Sequence, residues 1–189
     1  AVTADSIPLI AAESTTHIRD QFEFADVGVV CTNPFSDSYA DYRCDRELWN
    51  IENGMMLFIG CNVAYSEVFK DKAFRSALTY AIDRDTLAAE HYGGFAQVTT
   101  IACSPSSPYY SPALSARYEY DPVRFIEALG KIKKPKDPVK LLVNKDDSLR
   151  LRAARDIAEM LTECGLTVIM SELDSNAYRR ALRYGNFDL

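Results

Sequence analysis

Residues 139–189 constrain the fold more than any other part of the chain. Val139 to Val143 is an apolar run that reads as a strand. Asp147 or Ser148 then starts a helix whose inner face carries Ala154, Ile157, Ala158 and Leu161. Gly165 ends it, and Leu166 to Leu173 reads as a second strand. A strand, a long helix and a second strand cannot close as a hairpin, so the two strands should be parallel with a right-handed crossover. Asp174 or Ser175 caps a further helix with Tyr178, Ala181 and Leu182 inward. Gly185 closes that helix before Phe187-Asp188-Leu189, the start of another apolar strand.

The second organising stretch is Phe69 to Leu87. Phe74, Ala77, Leu78, Ala81 and Ile82 recur at i, i+3, i+4, i+7 and i+8, one face of a helix. Asp71 is placed to cap it, and Asp83 to cap a shorter helix running to His91, which the chain leaves at Gly93 and Gly94. Met55 to Ile59 reads as a strand and Gly60 to Val68 as a polar loop. Further upstream, Thr15 to Phe24 suits a helix leading into a buried strand at Val27 to Cys31. Downstream, Asp121-Pro122 opens a helix with Val123, Phe125, Ile126 and Leu129 buried and Gly130 at its end.

Composition removes several functions. The chain of 189 residues has a formal net charge of −6, which disfavours a nucleic-acid partner because phosphate binding needs a concentrated basic surface. Lys131 to Lys136 (KIKKPK) is the only basic cluster, and beside two prolines it reads as a solvated linker. No apolar run approaches the roughly 20 residues needed to span a bilayer. The amino terminus carries no charged start and apolar middle, so the expectation is a cytosolic protein or a mature or excised segment. The five cysteines form no CxxC and only His17 and His91 are available beside them, so no zinc site is expected and most thiols should be free and buried.

Catalysis finds little support. Cys103 with His91 is the best nucleophile–base pair, yet neither lies in a strand-to-helix elbow. Asp146 and Asp147 sit where a helix cap is wanted, which favours capping over metal binding. Gly93-Gly94 lacks the spacing and the lysine of a phosphate loop. No enzyme activity, cofactor or metal is expected.

Four segments carry a family resemblance, the last of them in part. RSALTYAIDRDTLAAEHYGG resembles the "R-x-A-(L/I)-x-x-A-(I/L)-D-R-x-x-(L/I)" helix of family 5 extracellular solute-binding proteins, the dipeptide, oligopeptide and nickel receptors of bacterial ABC importers. YDPVRFIEALG resembles the family's "Y-(D/N)-P" helix, with Phe125 replacing a small residue. Residues 140–189 resemble its strand ending in "N", long helix, "G-(I/L)-x-V" strand, tyrosine-bearing helix and "G-x-(F/Y)-D". Phe24-Ala25-Asp26-Val27 takes the place of the family's "G-x-x-D-(I/V)", without its glycine.

The resemblance implies an α/β fold with a mixed sheet and flanking helices, the distal (C-terminal) lobe of a type II periplasmic-binding-protein-like fold. Residues 1–26 would be hinge-proximal, 27–130 the first part, 131–138 a linker and 139–189 the β-α-β-α-β part. It implies a receptor at the extracellular face of the membrane or in the periplasm, held by a lipid anchor outside this chain. Such a receptor closes two lobes on a peptide or similar small solute and delivers it to ABC permease subunits. In peptide receptors of this family, an aspartate after a "G-W" beyond the "F-D" strand pairs with the ligand's α-amino group, and this chain stops short of it. Similar domains also serve as sensors in bacterial transcription regulators, the alternative reading. Loops at strand ends are where open α/β sheets bind ligands. They put forward Asn33 and Tyr39, Asn62 and Tyr65, and Ser104 and Tyr109 as ligand contacts, tyrosine offering an apolar face with a polar tip.

Overall fold

A computed structural model describes residues 6–31, 42–49, 51, 53–132, 135 and 137–189. They fall into two compact units divided after Ile51.

In the first unit, helix α1 (Thr15–Glu23) forms where the sequence places it, with the Ser14 hydroxyl accepting from the His17 amide as N-cap. None of its residues is buried. The Phe22 ring meets Tyr42 edge-on at 5.1 Å, and the Arg43 amide donates to Glu23 at 2.9 Å. The expected buried strand at Val27 to Cys31 does not form. That segment is irregular and Val29 is 74% exposed, because no neighbouring strand within this unit's described residues offers a ladder. Trp49 is exposed and donates to Glu47.

The second unit is built around two apolar layers that meet. Helix α2 (Glu67–Lys70) is followed at once by α3 (Lys72–Leu78) and a 3-10 turn, Thr79–Ala81. Asp71 caps α3 by accepting from the Ala73 amide, and Phe74, Ala77, Leu78, Ala81 and Ile82 are all buried, the face the 3.6-residue period specifies. Helix α4 (Arg84–Tyr92) starts on Asp83, which accepts from both the amide and the hydroxyl of Thr86, and ends on left-handed Gly93. A short helix α5 (Pro112–Ser115) precedes α6 (Pro122–Lys131), where Asp121 caps and Pro122 fills the first turn. Phe125 and Leu129 of α6 are fully buried against α3, and Phe69 meets Phe74 edge-on at 5.2 Å.

The carboxyl-terminal segment adds the sheet. Strand β1 (Val139–Asn144) pairs in parallel with β2 (Val168–Leu173), from Val139 opposite Val168 to Asn144 opposite Leu173. Helix α7 (Ser148–Glu163), capped by Asp147, makes the crossover and packs on both strands through Ala154 and Leu161. Helix α8 (Ser175–Tyr184) follows, capped by Asp174. Leu189 then donates to the Lys140 carbonyl at 3.1 Å while Leu142 donates back to Leu189 at 2.9 Å. Those bonds follow the parallel pattern, so the Phe187–Leu189 ladder segment lies, through Asp188 and Leu189, beside β1 on the side away from β2, next to the two-stranded sheet. The Asn62 amide donates to Asp188 at 2.9 Å and touches the far side of this segment.

Besides the Val27–Cys31 strand, further expectations need correction, among them Leu182 of α8, which is 43% exposed rather than inward. Met55 to Ile59 forms no strand, and Met55 and Phe58 are 71% and 81% exposed, since only Ile59 and Cys61 reach the core. Glu67–Lys70 is a helical turn within the stretch expected as loop and helix start. In α6, Val123 and Ile126 lie exposed on the face away from Phe125 and Leu129, and the helix runs through Gly130 to Lys131. The five cysteines are free, but only Cys164 is buried; Cys31 is exposed and the others are half-buried.

Candidate functional site

Of the six residues advanced as ligand contacts, Asn33 and Tyr39 lie outside the described residues. The other four fall in two loops, and among the described residues no hydrogen bond links one loop to the other.

The first loop is a corner built by Asn62. Its amide nitrogen donates to the Gly185 carbonyl at 3.0 Å and to the Phe187 carbonyl at 2.8 Å. Its side-chain oxygen accepts from the Ala64 and Tyr65 amides at 3.3 and 3.2 Å. Two donors and two acceptor sites are all an asparagine amide offers, so Asn62 is saturated by backbone and buried. It fixes the Cys61–Tyr65 turn to the chain where α8 gives way to the Phe187–Leu189 ladder. Tyr65, 70% exposed, is thereby laid against Gly185. Gly185 needs to be glycine twice over. Its φ of +68° is the left-handed conformation that ends α8, and a Cβ there would come within 2.2 Å of the Tyr65 ring. Since Gly185 precedes its ladder segment, this corner sits at the segment's amino end rather than at the carboxyl ends of β1 and β2.

The second loop, Cys103 to Tyr110, is a series of turns. Ser107 donates to the Ser104 carbonyl and Tyr110 to that of Ser107, while the Ser104 and Ser106 hydroxyls lie 2.8 Å apart. Thr99 anchors it by donating to the carbonyls of Ile101 and Cys103. The Tyr110 hydroxyl donates to Ser115 at 2.7 Å, and Ser115 in turn meets the Thr100 hydroxyl. Tyr110 is thus spent on holding the loop, which leaves Tyr109 projecting at 89% exposure.

The carboxyl ends of the parallel strands carry a third polar group that sequence reasoning missed as a site. Asn144 donates to the Ser175 hydroxyl at 3.2 Å, and Asp146 accepts from the Ser175 amide and hydroxyl at 2.8 and 2.7 Å. Those two hydrogen bonds hold the Asp146 carboxyl below its ordinary range. Arg155 grips Glu172 with two bonds of 3.0 Å, which lowers the glutamate in the same way. The signal available was Asn144 at a strand end followed by two aspartates. Both aspartates stabilise helix starts, Asp147 that of α7 and Asp146 that of α8. His91, weighed as a base for Cys103, instead meets Asp156 at 2.5 Å.

This architecture, parallel strands with a helical crossover and a capped helical layer, is one lobe of a periplasmic-binding-protein-like α/β fold. The chain belongs to the bacterial extracellular solute-binding proteins, family 5, whose model matches residues 14–189. Its fold is similar to that of the PBP AgaA of A. tumefaciens R10 in complex with agropinic acid, with TM-score 0.61 and 23% identity over 68% of this chain and 26% of that one. The oligopeptide-binding protein OppA gives TM-score 0.59 and 24% identity, covering 68% of this chain and 23% of that chain. NikA from Brucella suis in complex with Fe(III)-EDTA gives 0.53 and 21%, covering 68% and 28%. The chain therefore spans about a quarter of the length of these solved structures. No curated protein matches it. Among the described residues, no helix is long and apolar enough to cross a membrane.

Proposed function

We propose that this chain is the distal lobe of the substrate-binding component of an ABC importer, which captures a peptide or similar small solute between two lobes and delivers it to permease subunits. The observation that carries this reading is the family match across residues 14–189. The similar solved proteins include one in complex with agropinic acid and an oligopeptide-binding protein. The extracellular face of the membrane or the periplasm is the corresponding location. The mechanism is hinge closure: a ligand stabilises the closed form through contacts it makes with both lobes at once. No bond-making step is assigned to the chain. His91 bonds Asp156 rather than Cys103, and burial raises the Cys61 and Cys164 thiols, so neither is poised as a thiolate.

Within this reading Tyr65 and Tyr109 are the ligand-facing side chains, Ser104 a hydrogen-bonding neighbour of the latter, and Asn62 the positioning residue for Tyr65. Asn33 and Tyr39, from the polar stretch Thr32 to Arg43, are further proposed contacts. In the complete two-lobed receptor, Tyr109→Ala and Tyr65→Ala should each weaken peptide binding roughly tenfold, as losing an aromatic anchor does. The thermal midpoint of the Tyr109 variant should stay unchanged, because its side chain is 89% exposed. Unaltered affinity in both variants would remove these loops from the cleft.

A further inference from the structure

We propose that Glu90, His91 and Asp156 form a binding site for a first-row divalent cation of the Zn2+ type, bridging α4 and α7. One nitrogen or oxygen from each of the three lies within 4.8 Å of the others. His91 is the anchor: its side chain is 10% exposed and is held at 2.5 Å from the Asp156 carboxylate, so the imidazole is already aimed at the neighbouring helix.

The surroundings supply charge. Asp156, Glu159, Met160 and Glu163 recur at i, i+3, i+4 and i+7, which gives α7 a second face beside the apolar one that packs on the sheet. With Glu90 they line a depression of about 280 Å3 between the two helices. Four carboxylates thus share one groove, and among the described residues no lysine or arginine forms an ion pair with any of them. Like charges at helical spacing repel. A divalent cation would offset two of the four charges, with His91 ligating as the neutral imidazole.

The donor set selects the ion. An imidazole nitrogen with carboxylate oxygens suits zinc and its neighbours, whereas calcium and magnesium favour all-oxygen shells. Bonds of about 2.0–2.2 Å place ligand atoms roughly 3–3.5 Å apart. His91 and Asp156 would move apart slightly and the exposed Glu90 would swing inward, with Glu159 or water completing the shell. The site shares no residue with the loops of Tyr65 and Tyr109, so it is independent of the solute-binding proposal. Its consequence is a metal-dependent tie between α4 and α7.

The test is Zn2+ calorimetry on the purified chain with its accessible thiols alkylated, beside Co2+ absorption as a report on the donor atoms. The expected result is one micromolar Zn2+ site per chain and a Co2+ spectrum of nitrogen and oxygen donors, without a thiolate charge-transfer band. Zn2+ should also raise the thermal midpoint. His91→Ala should abolish both signals. Glu90→Gln, an exposed change that leaves folding intact, should weaken Zn2+ about tenfold or more, since even groups behind a metal's ligands cost that much. No Zn2+ heat in the wild type, or an affinity unchanged by Glu90→Gln and His91→Ala, would overturn the proposal.

Discussion

Phe74→Ala is expected to lower the unfolding free energy of the second unit by about 3–5 kcal/mol, as Phe-to-Ala truncation in a packed core does. Phe74 is 0% exposed and stands at the centre of the α3 face. One side meets Phe69 edge-on at 5.2 Å, and the cluster around it includes Phe125 and Leu129 from α6. Truncation removes the ring's apolar burial and leaves a cavity beside Phe69 in the cluster that Phe125 and Leu129 share. A domain's whole stability is about 5–15 kcal/mol, so the variant should be marginal. Thermal unfolding should register a drop between roughly 6 and 20 °C for a chain of this size. A loss under about 1 kcal/mol would mean that the ring is not the keystone its burial indicates.

Asn62→Ala should cost about 2–4 kcal/mol, because four hydrogen bonds of a saturated amide are lost at once and some of their partners stay out of reach of water. Two of those partners, Gly185 and Phe187, are more than 120 residues away in sequence, so the damage is to tertiary structure rather than to a local turn. The variant should also release Tyr65 from Gly185, visible as a change in tyrosine fluorescence and faster amide exchange at Ala64 and Tyr65. Asn62→Asp separates the donors from the acceptors. A carboxylate keeps the two amide partners but faces two carbonyls, so its pKa in the folded state is raised. The Asn62→Asp penalty should therefore shrink as pH falls through the raised folded-state pKa and be smallest below about 4, where the carboxyl is protonated in the unfolded chain as well. A stable Asn62→Ala protein would show that the corner is held by other means.

The contrast between these two residues shows what was legible. Phe74 could be found from spacing alone, because a helix brings i, i+3 and i+4 together without help from the rest of the chain. The caps Asp71, Asp83, Asp121 and Asp174 were readable for the same reason: each acts within three residues of itself. The parallel pairing of β1 and β2 followed from the helix between them. Residues whose partners are remote were not readable. Asn62 looked like a ligand contact by residue type and loop position, and its saturation by backbone 123 and 125 residues away gave no local sign. His91 and Asp156 are 65 residues apart and lie on helices whose packing only the fold decides. The Met55–Ile59 run fails as a strand for a related cause: extended, apolar residues announce β-propensity, but a strand exists only where a second one offers hydrogen bonds. Val123 and Ile126 mislead in the opposite sense, being apolar residues on the open side of α6.

The central claim is that this lobe supplies half of a site which holds its cargo by closing. Calorimetry decides it most directly, with the same small peptide titrated into the complete two-lobed receptor and into the 189-residue chain alone. The account predicts that the receptor binds at micromolar concentration while the isolated lobe binds no tighter than roughly millimolar, about −4 kcal/mol. Micromolar binding to the isolated chain would contradict it.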